Sequence, residues 1–461
     1  MEASLREKQI KRREYILNGN LWKVVISVVL PLALYNLCNF LYGIYDMMIV
    51  QSANIGDAAD IVVLDQIKNM ISTIGASIAS AGGIIVAKKF GEGKIEECRK
   101  SSNTVFTLGI VISIITLLFI PLGVPFLQLF KTDQSTIDNS LGYFNIQILV
   151  LFVTTLNSIM IALEKSKGST KHLLYLNLGV IVLKIAMSTF FAYGPFENVN
   201  SSWLAFATLL SQLFMFGCLS FLCFKKSNIL KICFKDFNLN PVIVKKLIHL
   251  AIPIFAGNFL FNFGKVFINS VATDTYGKTC VGALGISNTI AGVVNTVLNA
   301  FGDGTVVSQN YGNKNGKRIK KFFAIEFVYV SSIAIVGTFL LFIFRKSIAV
   351  FFAPNDINYQ TMIINIFAWE CFDLLFLGFG SIASAIFNGM GKTKITMAFS
   401  MSRLFLLRIP TLLILIYVVE MNYVACGITM FVSNTLCGII QFIVTYSFIK
   451  KLDVKYPLLF N

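Results

Sequence analysis

The chain has 461 residues, of which 56% are hydrophobic and only 13% charged, with a net charge of +16 and a mean hydropathy of +0.74. Soluble globular domains carry about 25% charged residues, so a water-soluble domain is excluded and an integral membrane protein is the class that fits. The apolar runs lack two-residue alternation, which excludes a transmembrane β-barrel.

The basic stretch "LREKQIKRREYI" near the N-terminus predicts a short interfacial helix, basic on one side, within a cytoplasmic segment 1–20. The apolar run after it is too long for the h-region of a cleavable signal peptide and lacks a small-residue cleavage site. Twelve segments then reach the roughly 20 residues that a membrane-crossing helix needs. They lie near 21–50, 61–87, 102–130, 139–163, 172–194, 201–224, 243–273, 281–309, 322–352, 360–387, 396–418 and 423–449. The first six form an N-lobe over 21–224, a basic cytoplasmic linker follows over 225–242, the last six form a C-lobe over 243–449, and 450–461 is a cytoplasmic tail. With both termini inside, the outer loops hold only Lys131 and Lys278 among their residues. That asymmetry obeys the positive-inside rule. The positive charge therefore reports topology, and no nucleic-acid partner is needed to explain it. The nine Cys form no CxxC pair and have two His beside them, so small buried fillers are expected and no metal site.

Two copies of one unit make up the chain. "LPLALYNLCNF" aligns with "IPIFAGNFLFN", placing Pro31 on Pro253 and Asn36 on Asn258. "GGIIVAKKFGEGKIEECRK" aligns with "GDGTVVSQNYGNKNGKRIKK", pairing Gly83 with Gly304 and Gly91 with Gly312, and "KGSTKH" falls on "MGKTKI". The spacing stays at 221 to 223 residues throughout, the signature of an internal repeat. Six spans per copy return the chain to its starting side. The expected fold is thus all-α, twelve transmembrane helices in two six-helix lobes related by a pseudo-twofold axis along the membrane normal, an architecture that suits alternating access.

Ionisable groups inside membrane spans are rare and usually face a cavity, a partner or a transport path. Asp46, in "NFLYGIYDMMIV", is the first candidate, against the alternative of a carboxylate merely hydrated near the outer surface or capping a helix. Its counterpart in the second copy is Ile268, so the acid is not a repeated structural need. Tyr35, Asn39 and Tyr42 on the same span, with Asn36 and its repeat partner Asn258, are candidate cavity-lining residues, the tyrosines offering cation–π faces. Lys265 is expected to face the C-lobe cavity with Asn262 and Asn269 one turn either way. Asp65 and Lys68 are placed to pair on one helix face. Arg403 and Arg408 are expected to pair with a carboxylate or with backbone carbonyls. "NGMGKT" is no phosphate loop, because the full pattern needs Gly five residues before Gly391 and Ile386 stands there.

The first-span pattern "LPLALYNLCNFLYGIYDMMIV", the second-span ending "IIVAKKFGEGK", its repeat "TVVSQNYGNKNGK", and "NGMGKTK" followed by "RLFLLRIP" together resemble the multidrug and toxic compound extrusion (MATE) family, in order and over almost the whole chain. The resemblance implies a twelve-helix, two-lobed antiporter that exports amphipathic, often cationic, compounds. It implies H⁺ or Na⁺ as the coupling ion, with no other cofactor and no catalytic residue. By the same resemblance Asp46 matches the family's first-span cation-binding carboxylate and Pro31 its first-span hinge. Fifth-span positions that usually carry Asn and Asp are Lys184 and Ser188 here. A second carboxylate is thereby lost and a fixed positive charge gained; Lys184 either stands where a bound ion would, favouring H⁺ over Na⁺, or snorkels or pairs elsewhere. Glu370 and Asp373, in the tenth span, are secondary cation candidates, in a register about a turn from the family's.

The function expected is secondary active efflux of small amphipathic or cationic compounds from a bacterial cytoplasmic membrane, by a monomer whose partners are its small-molecule substrate and the bilayer. The alternative is a lipid-linked oligosaccharide flippase of the same fold superfamily, which the intramembrane bases Lys184, Lys265, Arg403 and Arg408 favour. A polytopic transferase is disfavoured because no loop carries a DDxxD or DxxxD diphosphate motif.

Overall fold

In the computed structural model, the described residues are 2–52, 58–129, 134–194, 201–225, 227–233, 237–354 and 356–460. They are almost entirely helical, and twelve of their helices or helix pairs are long and apolar enough to cross a membrane. The first half holds α1 (Glu2–Asn18), α2 (Leu21–Ser52), α3 (Ala58–Gly91), α4 (Ile95–Thr116), α5 (Gly123–Leu129), α6 (Gln134–Ser166), α7 (Thr170–Tyr193) and α8 (Ser201–Phe224). The second holds α9 (Pro241–Tyr276), α10 (Lys278–Ala300), α11 (Thr305–Gly312), α12 (Gly316–Phe352), α13 (Ile357–Glu370), α14 (Leu374–Gly389), α15 (Thr393–Met401), α16 (Ile409–Tyr417) and α17 (Val424–Lys450).

Several helices begin before the apolar run that predicts them. The span expected from 322 starts at Gly316, where the Asn315 side chain accepts from the Arg318 N–H at 3.1 Å. The span expected from 102 starts at Ile95, with Glu96 and Glu97 in its first turn. Caps and acidic first turns extend helices on polar residues, which a hydropathy window does not register.

The chain forms two compact units, residues 1–18 with 38–255, and residues 19–37 with 256–461. The division differs from one made at a linker, because α2 and α9 are each split between the units, shortly after Pro31 and Pro253. A proline inside a helix removes one backbone hydrogen bond and clashes with the preceding turn, so each half can follow a different packing partner. Residues 227–233 are not a solvated tether. Ser227, Asn228, Ile229 and Leu230 are buried, the Ile229 N–H donates to Gln9 Oε1 at 2.8 Å, and Arg99 Nε donates to the Ile229 carbonyl at 2.9 Å. In the same unit α1 is a helix whose arginines reach the ends of other elements. Arg13 donates to the carbonyls of Phe90 and Gly91 at 2.6 and 2.7 Å, and Arg12 to that of Gly168 at 3.1 Å. Phe90 and Gly91 are the last residues of α3 and Gly168 lies in the turn between α6 and α7, where carbonyls lack the full pairing of a helix interior.

Within each unit the packing repeats. In the first, α3 packs on α6 and α6 on α8; in the second, α10 packs on α13 and α14, and those on α17. One apolar core centres on Leu64, Ile67, Leu127, Phe144 and Ile148; the other on Ile268, Leu284, Ile366, Phe367 and Leu412. The turn glycines repeat as well, with Gly168 at φ +77° and Gly391 at +75°. Gly93, at φ +78°, has Lys314 as its repeat partner, held at +56° in a region that costs an L-residue about 1–2 kcal/mol.

The paired positions Gly83 and Gly304 differ in what surrounds them. A Cβ on Gly83 would meet Ala162 at 3.5 Å, an ordinary contact, whereas one on Gly304 would lie 2.8 Å from the backbone of Gly389. Gly304→Ala must therefore part α11 from α14. It is expected to lower stability by about 1–3 kcal/mol, while Gly83→Ala stays within about 0.5 kcal/mol. Thermal unfolding of the two detergent-solubilised variants checks the contrast, and equal losses would refute it.

Candidate functional site

In the first unit, α2 and α7 bring four of the expected residues together. Tyr42 and Asp46 stand one turn apart on α2, and the Tyr42 hydroxyl donates to Asp46 Oδ1 at 2.7 Å. Lys184 and Ser188 stand one turn apart on α7. Ser188 Oγ lies 3.2 Å from the Tyr42 hydroxyl, and Lys184 Nζ lies 3.8 Å from Asp46 Oδ2 and 4.0 Å from the centroid of the Tyr42 ring. Beside them, the hydroxyls of Tyr45 and Thr189, the sequence neighbours of Asp46 and Ser188, are 2.9 Å apart. Tyr42 and Ser188 are buried, whereas the side chains of Asp46 and Lys184 keep 28% and 15% of their surface open. The charged pair is therefore partly open, while its tyrosine and serine supports are buried. At about 4 Å such a pair is worth about 1 kcal/mol in water and about 4 kcal/mol at the effective dielectric of a protein surface. The interaction is strong enough to bias a helix pair and weak enough to break on protonation.

The other first-span candidates are placed differently. Asn39 is exposed, Tyr35 and Asn36 are half-buried, and the hydrogen-bond and ion-pair partners of Asp46 are Tyr42 and Lys184. Pro31 is buried inside α2. The proposed Asp65–Lys68 pair lies outside what is described, because the side chain of Asp65 is not among the described ones.

In the second unit, the tenth span is interrupted by one 3₁₀ turn, Cys371–Asp373. Residues three apart eclipse in such a turn, so Glu370 and Asp373 point the same way and both are buried. Glu370 accepts from the Ser287 hydroxyl of α10. Asp373 Oδ2 accepts from Asn434 Nδ2 at 2.7 Å, while its Oδ1 has no partner. The eleventh span is interrupted by a π-helical segment, Ser402–Arg408. In an α-helix Arg403 and Arg408 would be ~140° apart; i→i+5 winding turns them to one side. Pro410 supplies the cause, since it cannot donate to the carbonyl of Leu406. Arg408 donates from Nη2 to Asn434 Oδ1 at 2.7 Å and from Nε to Ser433 Oγ at 3.2 Å.

The expectation that Arg403 and Arg408 pair with a carboxylate or with carbonyls is corrected. Arg408 reaches Asp373 only through Asn434, and Arg403 lies with its guanidinium 4.9 Å from the centroid of the Phe261 ring. Lys265 approaches the same ring at 4.8 Å and is exposed, as is Asn258, whereas Asn262 is half-buried.

Sequence reading missed three polar features. Ser433 and Asn434, in "MFVSNTL", are the relay just described, and two adjacent polar residues in an apolar span are the signal. Glu326, in "FFAIEFVYV", is fully buried, with neither carboxylate oxygen hydrogen-bonded. It carries the same lone-acid signal that singled out Asp46. Lys167, also fully buried, donates to Glu164 at 2.7 Å and to Asn228 at 3.0 Å. Among the described residues, no three His, Cys, Asp or Glu gather closely enough to hold a metal ion.

The MatE family model matches the chain twice, over residues 31–190 and 253–414, beginning at the two repeat-related prolines. The fold is that of a MATE protein crystallised in complex with MaL6 (TM-score 0.88, 17% identity, covering 95% of this chain and 98% of that one). It is equally similar to an outward-facing MATE multidrug resistance transporter of the MOP superfamily (TM-score 0.87, 17% identity, with the same coverage). The same figures apply to a MOP superfamily transporter from Pyrococcus furiosus Vc1, described as having a binding pocket of reverse polarity that suggests a different function. A comparison with curated proteins gives no match. With the family model covering most of the chain in two repeats, and the twelve-helix fold shared over nearly its whole length, this multi-pass membrane protein belongs to the MATE family of transporters.

Proposed function

We propose that the chain is a secondary active efflux transporter, an antiporter driven by H⁺ in preference to Na⁺ that exports small amphipathic or cationic compounds by alternating access. The observation that carries this reading is the Asp46–Tyr42–Ser188–Lys184 cluster inside two membrane helices. A proton taken by Asp46 removes the counter-charge of Lys184 while leaving the Tyr42 hydroxyl its acceptor, so protonation changes how α2 and α7 attract each other without dismantling the site. Differential stabilisation of two conformers is all that coupling requires. Na⁺ is disfavoured because the Lys184 ammonium lies 3.8 Å from Asp46, a tethered cation beside the oxygens that Na⁺ would need. The positive-inside asymmetry supports cytoplasmic placement of both termini, and the family resemblance supports a bacterial cytoplasmic membrane.

Efflux of a fluorescent organic cation from proteoliposomes, under an imposed pH or Na⁺ gradient, tests the choice of ion. A pH gradient alone is expected to drive the wild type. Lys184→Ala, which frees the position beside Asp46, is expected to gain a response to Na⁺. Wild-type transport driven by Na⁺ at constant pH would overturn the reading.

A further inference from the structure

We propose that the second unit holds an anion-binding site formed by Lys265, Arg403 and Arg408 around the ring of Phe261, and that the group it takes is a phosphate carried on an amphipathic molecule. Three cationic heads from two helices converge on that one ring, at 4.8, 4.9 and 6.0 Å from its centroid. A ring face attracts a cation only weakly, too little to hold three mutually repelling charges. The two acids nearby do not close the balance. Glu370 is engaged by Ser287 and Asp373 by Asn434, and among the described residues no carboxylate lies within 4 Å of any of the three cations. Even with both acids ionised, three positive charges face two negative ones.

Donor chemistry points the same way. Arg408 spends Nε and one Nη on Ser433 and Asn434, which fixes its plane and leaves the other Nη to give. Arg403 and Lys265 have no protein acceptor among the described residues. The Arg403 guanidinium, the Lys265 ammonium and the remaining Nη of Arg408 suit a tetrahedral oxyanion, which Arg grips with its planar fork and Lys as a point charge. The site is also reachable. Asn258, Asn262, Lys265 and Asn269 recur every three or four residues on α9, so one face of that helix is polar from 258 to 269. A lipid-facing stripe would not carry a lysine, because charge facing hydrocarbon is costly, so this face turns away from the lipid. The π-helical winding that turns Arg403 and Arg408 to one side is the kind of irregularity frequent at functional sites.

The inference deepens the efflux reading by naming a group on the cargo, and its test reads binding without transport, so either can fail while the other stands. The purified full-length protein in nanodiscs is titrated with 1-naphthyl phosphate, with 1-naphthol as the uncharged control. The phosphate is expected to bind at least about tenfold more tightly than the alcohol, the worth of one charge-assisted hydrogen bond or more. Arg403→Gln and Lys265→Gln are each expected to lose that margin, whereas Arg403→Lys keeps most of it, which shows that folding is not what the Gln variants lost. Displacement by a polyprenyl phosphate, but not by inorganic phosphate, assigns the group to a lipid; displacement by inorganic phosphate assigns it to a soluble cargo. Equal affinity for phosphate and alcohol, or full phosphate binding by Arg403→Gln, would overturn the proposal.

Discussion

Asn434→Leu is expected to cost the second unit about 3–5 kcal/mol, the range for breaking a buried charged network by removing one partner. Asn434 is nearly buried, accepts from Arg408 at 2.7 Å and donates to Asp373 at 2.7 Å. Asp373 is fully buried and its other oxygen already lacks a partner. With leucine in place, Asp373 stays fully buried with no hydrogen bond, and of its two side-chain partners Arg408 keeps only Ser433. Asp373→Asn should be milder, because an amide retains an acceptor for Asn434 and carries no charge to bury. In the double variant the costs should fall well short of additive, as residues in one network do. Thermal unfolding of the solubilised protein reads all three. An Asn434→Leu midpoint within a degree of wild type would mean that the relay contributes nothing.

Asp46→Asn is expected to reduce gradient-driven efflux by about a hundredfold or more, the change in a two-state equilibrium that ~3 kcal/mol of lost differential interaction produces. The substitution is nearly isosteric and its Oδ1 still accepts from the Tyr42 hydroxyl, so the packing of α2 on α7 is kept. What disappears is the charge beside Lys184, and with it the ion pair that a proton on Asp46 would break. Tyr42→Phe should be intermediate, because the carboxylate remains and loses one 2.7 Å hydrogen bond, worth about 1.5–3 kcal/mol when an ionised group is involved.

The apolar runs made twelve spans legible, because bilayer thickness sets a length that composition must meet. The repeat was legible from Pro31 and Pro253 and from the two glycine turns, which need a left-handed backbone at Gly168 and Gly391. The split of α2 and α9 between compact units was not legible, since a proline marks where a helix can change partners and says nothing about which partner each half takes. At the site, the lone carboxylate Asp46 and the lone base Lys184 stood out by their cost in a membrane, and the fold brings them to 3.8 Å. The same cost rule applied to "FFAIEFVYV" would have found Glu326. Arg403 and Arg408 were visible as charges, but their common side was not. Five residues apart, they share a face only because the helix widens ahead of Pro410, and helical periodicity alone sets them on different sides.

The most direct measurement compares wild type with Asp46→Asn in proteoliposomes matched for inserted protein, following efflux of a fluorescent organic cation under an imposed pH gradient. Efflux driven by the gradient in wild type, and reduced to leak in Asp46→Asn with unchanged thermal stability, is the expected result. Equal gradient-driven rates in the two proteins would contradict coupling through Asp46 and leave the charge beside Lys184 with a structural role only.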